Sequence, residues 1–214
     1  MHTNAVIDCL VRRARPIPVR AVERRIGAQA AVGGGISLVL LMMSFGVRTD
    51  LASAVGTSAF WVKAGYVSAI LLISLALLSD FARPEANPTR QMAFFLAPVL
   101  ALAAGAGFEL ASSPQSGWRA LLMGMTAGKC SVRIAFFALP ALIALFAAFR
   151  NFAPTRLAPA GATIGAAAGA IGAFVYMFYC REIAAGFVVV WYTLGIASMA
   201  ALGALIGPAA LKWK

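Results

Sequence analysis

Six apolar runs, at about residues 28–47, 64–79, 91–107, 131–149, 160–179 and 183–206, constrain this chain more than any other feature of it. Each is long enough to cross the ~30 Å hydrocarbon layer of a bilayer as a helix rising ~1.5 Å per residue. Backbone groups in hydrocarbon must be satisfied internally, and runs of this length do so as helices. The fold class read from the sequence is all-α, a polytopic membrane protein with six transmembrane helices. Of 214 residues 62% are hydrophobic and 12% charged, and the links between runs are short, which leaves little chain for a separate soluble domain. Three parts follow: a basic N-terminal segment at 1–27, a transmembrane domain at 28–211 and a short end at 212–214.

The formal charge of +11 raises the question of a nucleic-acid partner, and its distribution answers it. With the N-terminus inside, Arg12, Arg13, Arg15, Arg20, Arg24, Arg25, Arg83, Arg90, Arg150, Arg156, Lys212 and Lys214 fall on the cytoplasmic side. Arg48, Lys63, Arg119, Lys129, Arg133 and Arg181 fall outside. Twelve against six is the positive-inside bias, which places both termini in the cytoplasm. Topology and anionic lipid account for the charge without direct nucleic-acid binding. Arg24-Arg25 before an apolar run is also the pattern of a twin-arginine signal, but this run is long and five more follow it, so an uncleaved first helix is expected.

Runs four and five form a hairpin with Cys130 immediately before it and Cys180 immediately after. If both runs span the bilayer, the two thiols end at one height on the outer, oxidising face, while Cys9 stays among reduced thiols. A disulfide needs Cα atoms roughly 4.4–6.8 Å apart, and the ends of adjacent helices can meet that requirement. A permanent staple, a switchable thiol pair and a soft-metal site using both sulfurs with Glu182 are all open on this reading. Cys130 starts a helix beside Lys129 and one turn before Arg133, which favours its thiolate; Cys180 has Arg181 beside it but ends a helix, so Cys130 is expected to be the more nucleophilic. The only histidine, His2, lies in the tail, which excludes a histidine-containing zinc site outside, and no cofactor is called for.

In the tail, Asn4 can cap a short amphipathic helix bearing Ile7, Leu10 and Val11 opposite Arg12 and Arg13, and Arg15-Pro16-Ile17-Pro18 then breaks it. Those residues suit either a polybasic anchor on lipid or a docking helix for a cytoplasmic partner. Gly161, Gly165 and Gly169 lay a flat stripe along the fifth helix, for which the fourth is the nearest partner by connectivity. Trp191, Tyr192 and Gly195 read as packing positions in the sixth. Gly124 and Gly128 have the spacing that lets helix backbones approach, Phe60-Trp61-Val62-Lys63 reads as an interfacial anchor, and Glu109 could pair with Lys129 or Arg133.

Taken together, Phe60-Trp61-x-Lys63, Trp118 and Gly124 before Cys130, Cys180-x-Glu182 and Trp191-Tyr192-Thr193-Leu194-Gly195-Ile196 resemble the NrsF family, six-helix bacterial inner-membrane proteins named as negative regulators of sigma F. The similarity runs from about Asp8 to the C-terminus; Arg181 departs from the pattern. It implies a membrane-bound anti-sigma factor that holds an extracytoplasmic-function sigma factor and releases it under oxidative or heavy-metal stress. The family's two outer cysteines carry over to Cys130 and Cys180, with Lys129, Arg133, Arg181 and Glu182 as their surroundings. Two rivals differ in class. A quinone-linked thiol oxidoreductase usually needs a Cys-x-x-Cys or a second exchanging pair, neither of which is present. A small transporter usually carries ionisable residues at mid-membrane depth, where these runs are apolar.

Overall fold

A computed structural model describes residues 20–82, 88–152 and 154–212. Six of its helices are long and apolar enough to cross a membrane: α1 (Ala21–Ser44), α3 (Ser58–Phe81), α4 (Leu96–Ala111), α6 (Lys129–Phe149), α7 (Leu157–Tyr176) and α8 (Ala185–Ala210). Two short helices, α2 (Leu51–Val55) and α5 (Trp118–Met123), sit in the links, and a 3-10 turn (Pro88–Phe95) leads into α4. All six apolar runs are therefore helices. The first starts earlier than its apolar run, because Arg24 and Arg25 already lie on its opening turn, with the Arg25 guanidinium 5.9 Å over the Phe152 ring.

The bundle is built around α7, 78% buried over its apolar stretch against 22% for α1 and 11% for the stretch containing α4. Its composition explains this position. Lipid tails are as apolar as leucine, so helices in a bilayer associate through close packing, and the glycines and alanines of α7 let four neighbours, α1, α3, α6 and α8, come close. The glycine stripe meets α8 and not α6, the partner that connectivity suggested. A Cβ on Gly161 would overlap the Gly203 carbonyl, and one on Gly165 the Met199 carbonyl. The reason is reciprocity: α8 brings its own Gly203 and Gly207 to the same seam, whereas α6 carries no glycine. Of the α7 glycines only Gly172 meets α6, and its Cβ would stand 2.5 Å from the Ile134 carbonyl oxygen. Gly33 of α1 does the same against Ala141 of α6.

Three buried hydroxyls close onto their own helices. Ser37 donates to Gly33 O (2.8 Å), Ser74 to Ile70 O (2.7 Å) and Thr163 to Pro159 O (3.0 Å), so none of these three donors is stranded in the apolar interior. Side chains gather in two clusters at opposite ends. One holds Ile26, Phe81, Phe149 and Leu211 and marks the end where the described chain begins and stops; the other holds Phe60, Cys130, Tyr176, Cys180 and Tyr192.

Candidate functional site

Within the second cluster, four helices and one turn converge on Cys130 and Cys180. Cys130 enters from the first turn of α6, its N–H bonded to Thr126 O (3.1 Å). Past the end of α7 the chain makes one more turn, with Cys180 N–H donating to Tyr176 O (3.0 Å), and this folds Cys180 back over the bundle. Both cysteines are free thiols and both are buried. Tyr176 of α7 and Tyr192 of α8 close the site from below, each fully buried, their ring centroids 6.3 Å apart.

Tyr192 owes its place to a π turn over Val188–Tyr192, which re-aims one turn of α8. Its neighbours divide the Trp-Tyr-Thr-Leu-Gly stretch by role. Trp191 donates from Nε1 to Leu122 O (2.9 Å) and takes the Ser131 hydroxyl on its carbonyl (2.7 Å), while Gly195 lies against Ile134. Both contacts join α8 to its neighbours. Tyr192 instead faces the thiols: its hydroxyl, wholly buried, closes no hydrogen bond, and the two sulfurs are among the groups that bear on it.

The residue that sequence reasoning missed is Lys63. Only 3% exposed, it runs from α3 into the site, donates from Nζ to the Glu182 carbonyl and lies 5.3 Å over the Tyr192 ring. An interfacial anchor would point its amine to water; this one points inward. The available signal was its position in the first turns of a spanning helix, where a buried ammonium demands a partner. The Glu182 carbonyl and the face of the Tyr192 ring supply that partner.

The remaining surroundings hold the turn more than they touch the sulfurs. Lys129 is exposed. Arg133 lies over the rings of Phe45 (4.8 Å) and Tyr179 (5.5 Å) and donates to the Tyr176 hydroxyl (3.5 Å). Arg181 is exposed and stands 3.8 Å from Asp50. The Glu182 carboxylate accepts from Met125 N–H (2.8 Å) and Thr126 Oγ1 (3.2 Å), so it ties the link before α6 to the turn after α7. Gly124 and Gly128 serve that link as turn residues with φ of +51° and +74°, not as a helix contact, and a Cβ on Gly124 would meet the Glu182 carboxylate at 2.7 Å. Glu109 pairs with neither Lys129 nor Arg133: its Oε2 accepts the Ala185 N–H (2.8 Å) at the start of α8. Among the described residues no third histidine, cysteine or carboxylate joins the two sulfurs. The tail residues Ile7, Leu10, Val11, Arg12, Arg13 and Arg15 lie outside the described residues.

The cation that acts on the Cys180 thiol is Lys63 of another helix. Cys180 is pulled down to about 6, first because the Cys130 thiol donates to its sulfur, then by the Lys63 ammonium and the Glu182 backbone, against burial. Alkylation followed residue by residue is therefore expected to find Cys180 half-maximally reactive near pH 6, falling as acid protonates the thiolate and level above about pH 7.5. A midpoint at or above pH 8, as for an ordinary thiol, would overturn that expectation.

Residues 10–213 match the family described as NrsF, negative regulator of sigma F. The chain belongs to the NrsF family. It is 32% identical over 213 residues to a protein of Azospira oryzae named "Probable anti-sigma-F factor NrsF", and 31% identical over 215 residues to the "Anti-sigma-F factor NrsF" of Caulobacter vibrioides. Each similarity covers the whole of both chains. No solved structure matches the chain. The NrsF name describes negative regulation of a sigma factor, a regulatory and not an enzymatic role.

Proposed function

We propose that this NrsF protein is an inner-membrane anti-sigma factor that binds an extracytoplasmic-function sigma factor at its cytoplasmic face and releases it when Cys130 and Cys180 are oxidised or capped by a thiophilic metal. The observation that carries the reading is a pair of free, buried cysteines joining the start of α6 to the end of α7, at the end of the bundle away from the described termini. The positive-inside bias puts that end in the periplasm and the basic tail, with Ile7 to Arg15, in the cytoplasm. Forming the disulfide removes two protons and two electrons from the thiols to an external oxidant and replaces a hydrogen-bonded contact by a ~2.05 Å bond.

That bond is felt along the bundle because α6 and α7 belong to both core clusters. Ile134 and Phe137 pack at the thiol end, Ala141 to Phe149 at the other, with Gly33 and Gly172 allowing backbone-to-backbone contact between. The sigma factor must prefer one thiol state, since a partner indifferent to the two could not be released. Affinity purification from membranes with and without diamide, or cadmium as the metal, with both thiols counted in the same samples, tests this. The expected result is a co-purifying sigma factor lost on treatment from the wild type and retained by Cys130→Ser/Cys180→Ser. No sigma factor under any condition overturns the binding; equal retention by wild type and variant under stress overturns the sensing.

A further inference from the structure

Beside the cysteine pair, at the same end of the bundle, lies a cavity of about 540 Å³ whose wall includes Arg48, Thr49, Arg133, Cys180, Arg181 and Glu182. Its charge is unusual for a site meant to receive metal cations. Three guanidiniums share it with one carboxylate, and that carboxylate, Glu182, is already held by the Met125 N–H and the Thr126 hydroxyl. Outside the wall, Asp50 takes Arg48 on both oxygens (2.9 and 2.6 Å) and stands 3.8 Å from Arg181. Arg133 meets no carboxylate among the described residues; its plane rests on Phe45 and Tyr179, which fixes the fork without neutralising it. Behind Cys180 stands Lys63, bonded to the Glu182 carbonyl. Four cations thus face two carboxylates, and ionising Cys180 still leaves the site positive.

We infer that this cavity is an anion-binding vestibule, which holds a small oxyanion between Arg133 and Arg181 and admits anionic solutes to the cysteine pair ahead of cationic ones. Guanidinium forks match the geometry of tetrahedral and carboxylate oxyanions and pair with them bidentately. Arg48 is the less available of the three, because Asp50 occupies its fork and its Nη1 also reaches the Cys180 carbonyl (3.3 Å). Arg181, exposed and bonded only loosely to Thr49 Oγ1 (3.5 Å), can swing over the mouth. The field of such a concave, like-charged surface raises the local concentration of the opposite ion and works against a divalent cation. This deepens the sensory reading by naming the class of solute that arrives first, and it is tested without any sigma factor, so either can fail alone.

The test uses the full chain with Cys9, Cys130 and Cys180 replaced by serine and a reporter Met125→Cys, since Met125 is 96% exposed and lies in the cavity wall. Its labelling by the anionic sulfonatoethyl and the cationic trimethylammonioethyl methanethiosulfonates is compared, each rate divided by that of a small free thiol. At low salt the anionic reagent is expected to be favoured at least about fivefold, with the preference shrinking toward one in Arg133→Gln and in Arg181→Gln. Millimolar sulfate is expected to slow the labelling more than sodium chloride of matched ionic strength. Arg181→Gln alters only an exposed side chain, so it keeps the test open should Arg133→Gln misfold. No anionic preference in the parent, or sulfate acting no better than matched chloride, overturns the inference.

Discussion

Gly165→Val is expected to abolish the folded protein, whereas Gly35→Val, a glycine of the same helical kind, is expected to leave it within about 1 kcal/mol of the parent. A side chain on Gly165 would enter the backbone of α8: even a Cβ overlaps the Met199 carbonyl and stands 2.7 Å from its carbon and 2.9 Å from Ala200 Cα. Backbone cannot move aside as the tip of a flexible side chain can. The α7–α8 seam is also the closest in the bundle, so separating it exposes the stripe Gly161 to Gly169 and the facing Gly203 and Gly207 together. Overpacking usually costs about 1–3 kcal/mol, and a seam with backbone on both sides has no route to relax, so the cost is expected to exceed about 3 kcal/mol. Gly35 has nothing within 4 Å of its Cβ position. Thermal unfolding of the detergent-solubilised proteins, with yield from membranes as a second readout, separates the two; similar losses for both would mean the seam does not hold the bundle.

The same contrast shows where the sequence was legible. Period and length specify a helix whatever its neighbours, so all six spans could be read, and an i, i+4 glycine stripe says that a helix packs closely. Which helix it packs against is a property of two surfaces at once. Gly203 and Gly207 were in view, but only tertiary structure shows that they, and not the adjacent α6, close on the stripe. The cysteine pair was legible because the two residues flank one hairpin, and the NrsF resemblance fixed them as a set. Their chemistry was not, since it is set by groups from other helices: Lys63 lies 67 residues before Cys130, and Tyr192 reaches the site through a π turn that no periodicity predicts. Arguments from neighbours in sequence favoured Lys129, which is exposed, and Arg133, which rests on the rings of Phe45 and Tyr179.

Lys63→Met is expected to raise the midpoint of Cys180 alkylation by one to two pH units and to slow its labelling at pH 6.5 by about tenfold or more. Methionine keeps the length and apolar stem of lysine while removing the charge and the donor. The thiolate loses an ammonium that acts on it directly, and the Glu182 carbonyl loses its only side-chain donor among the described residues, which costs about 1–3 kcal/mol if nothing replaces it. Lys63→Arg keeps a cation and is expected to restore part of the acidity; Lys129→Met, altering an exposed cation, is expected to change nothing. Equal effects of Lys63→Met and Lys129→Met would return the site to simple helix-end electrostatics. The dependence also runs the other way. A lysine 3% exposed is tolerable while a thiolate offsets its charge, and oxidation to the disulfide takes that anion away, leaving the ammonium with a carbonyl and the Tyr192 ring. The redox state of two sulfurs between α6 and α7 thereby becomes a force on α3, which packs along α7 toward the other end of the bundle. In Lys63→Met that force is absent, so oxidant should still form the disulfide but release the partner less completely than in the wild type, with disulfide content and bound sigma factor measured in the same membranes.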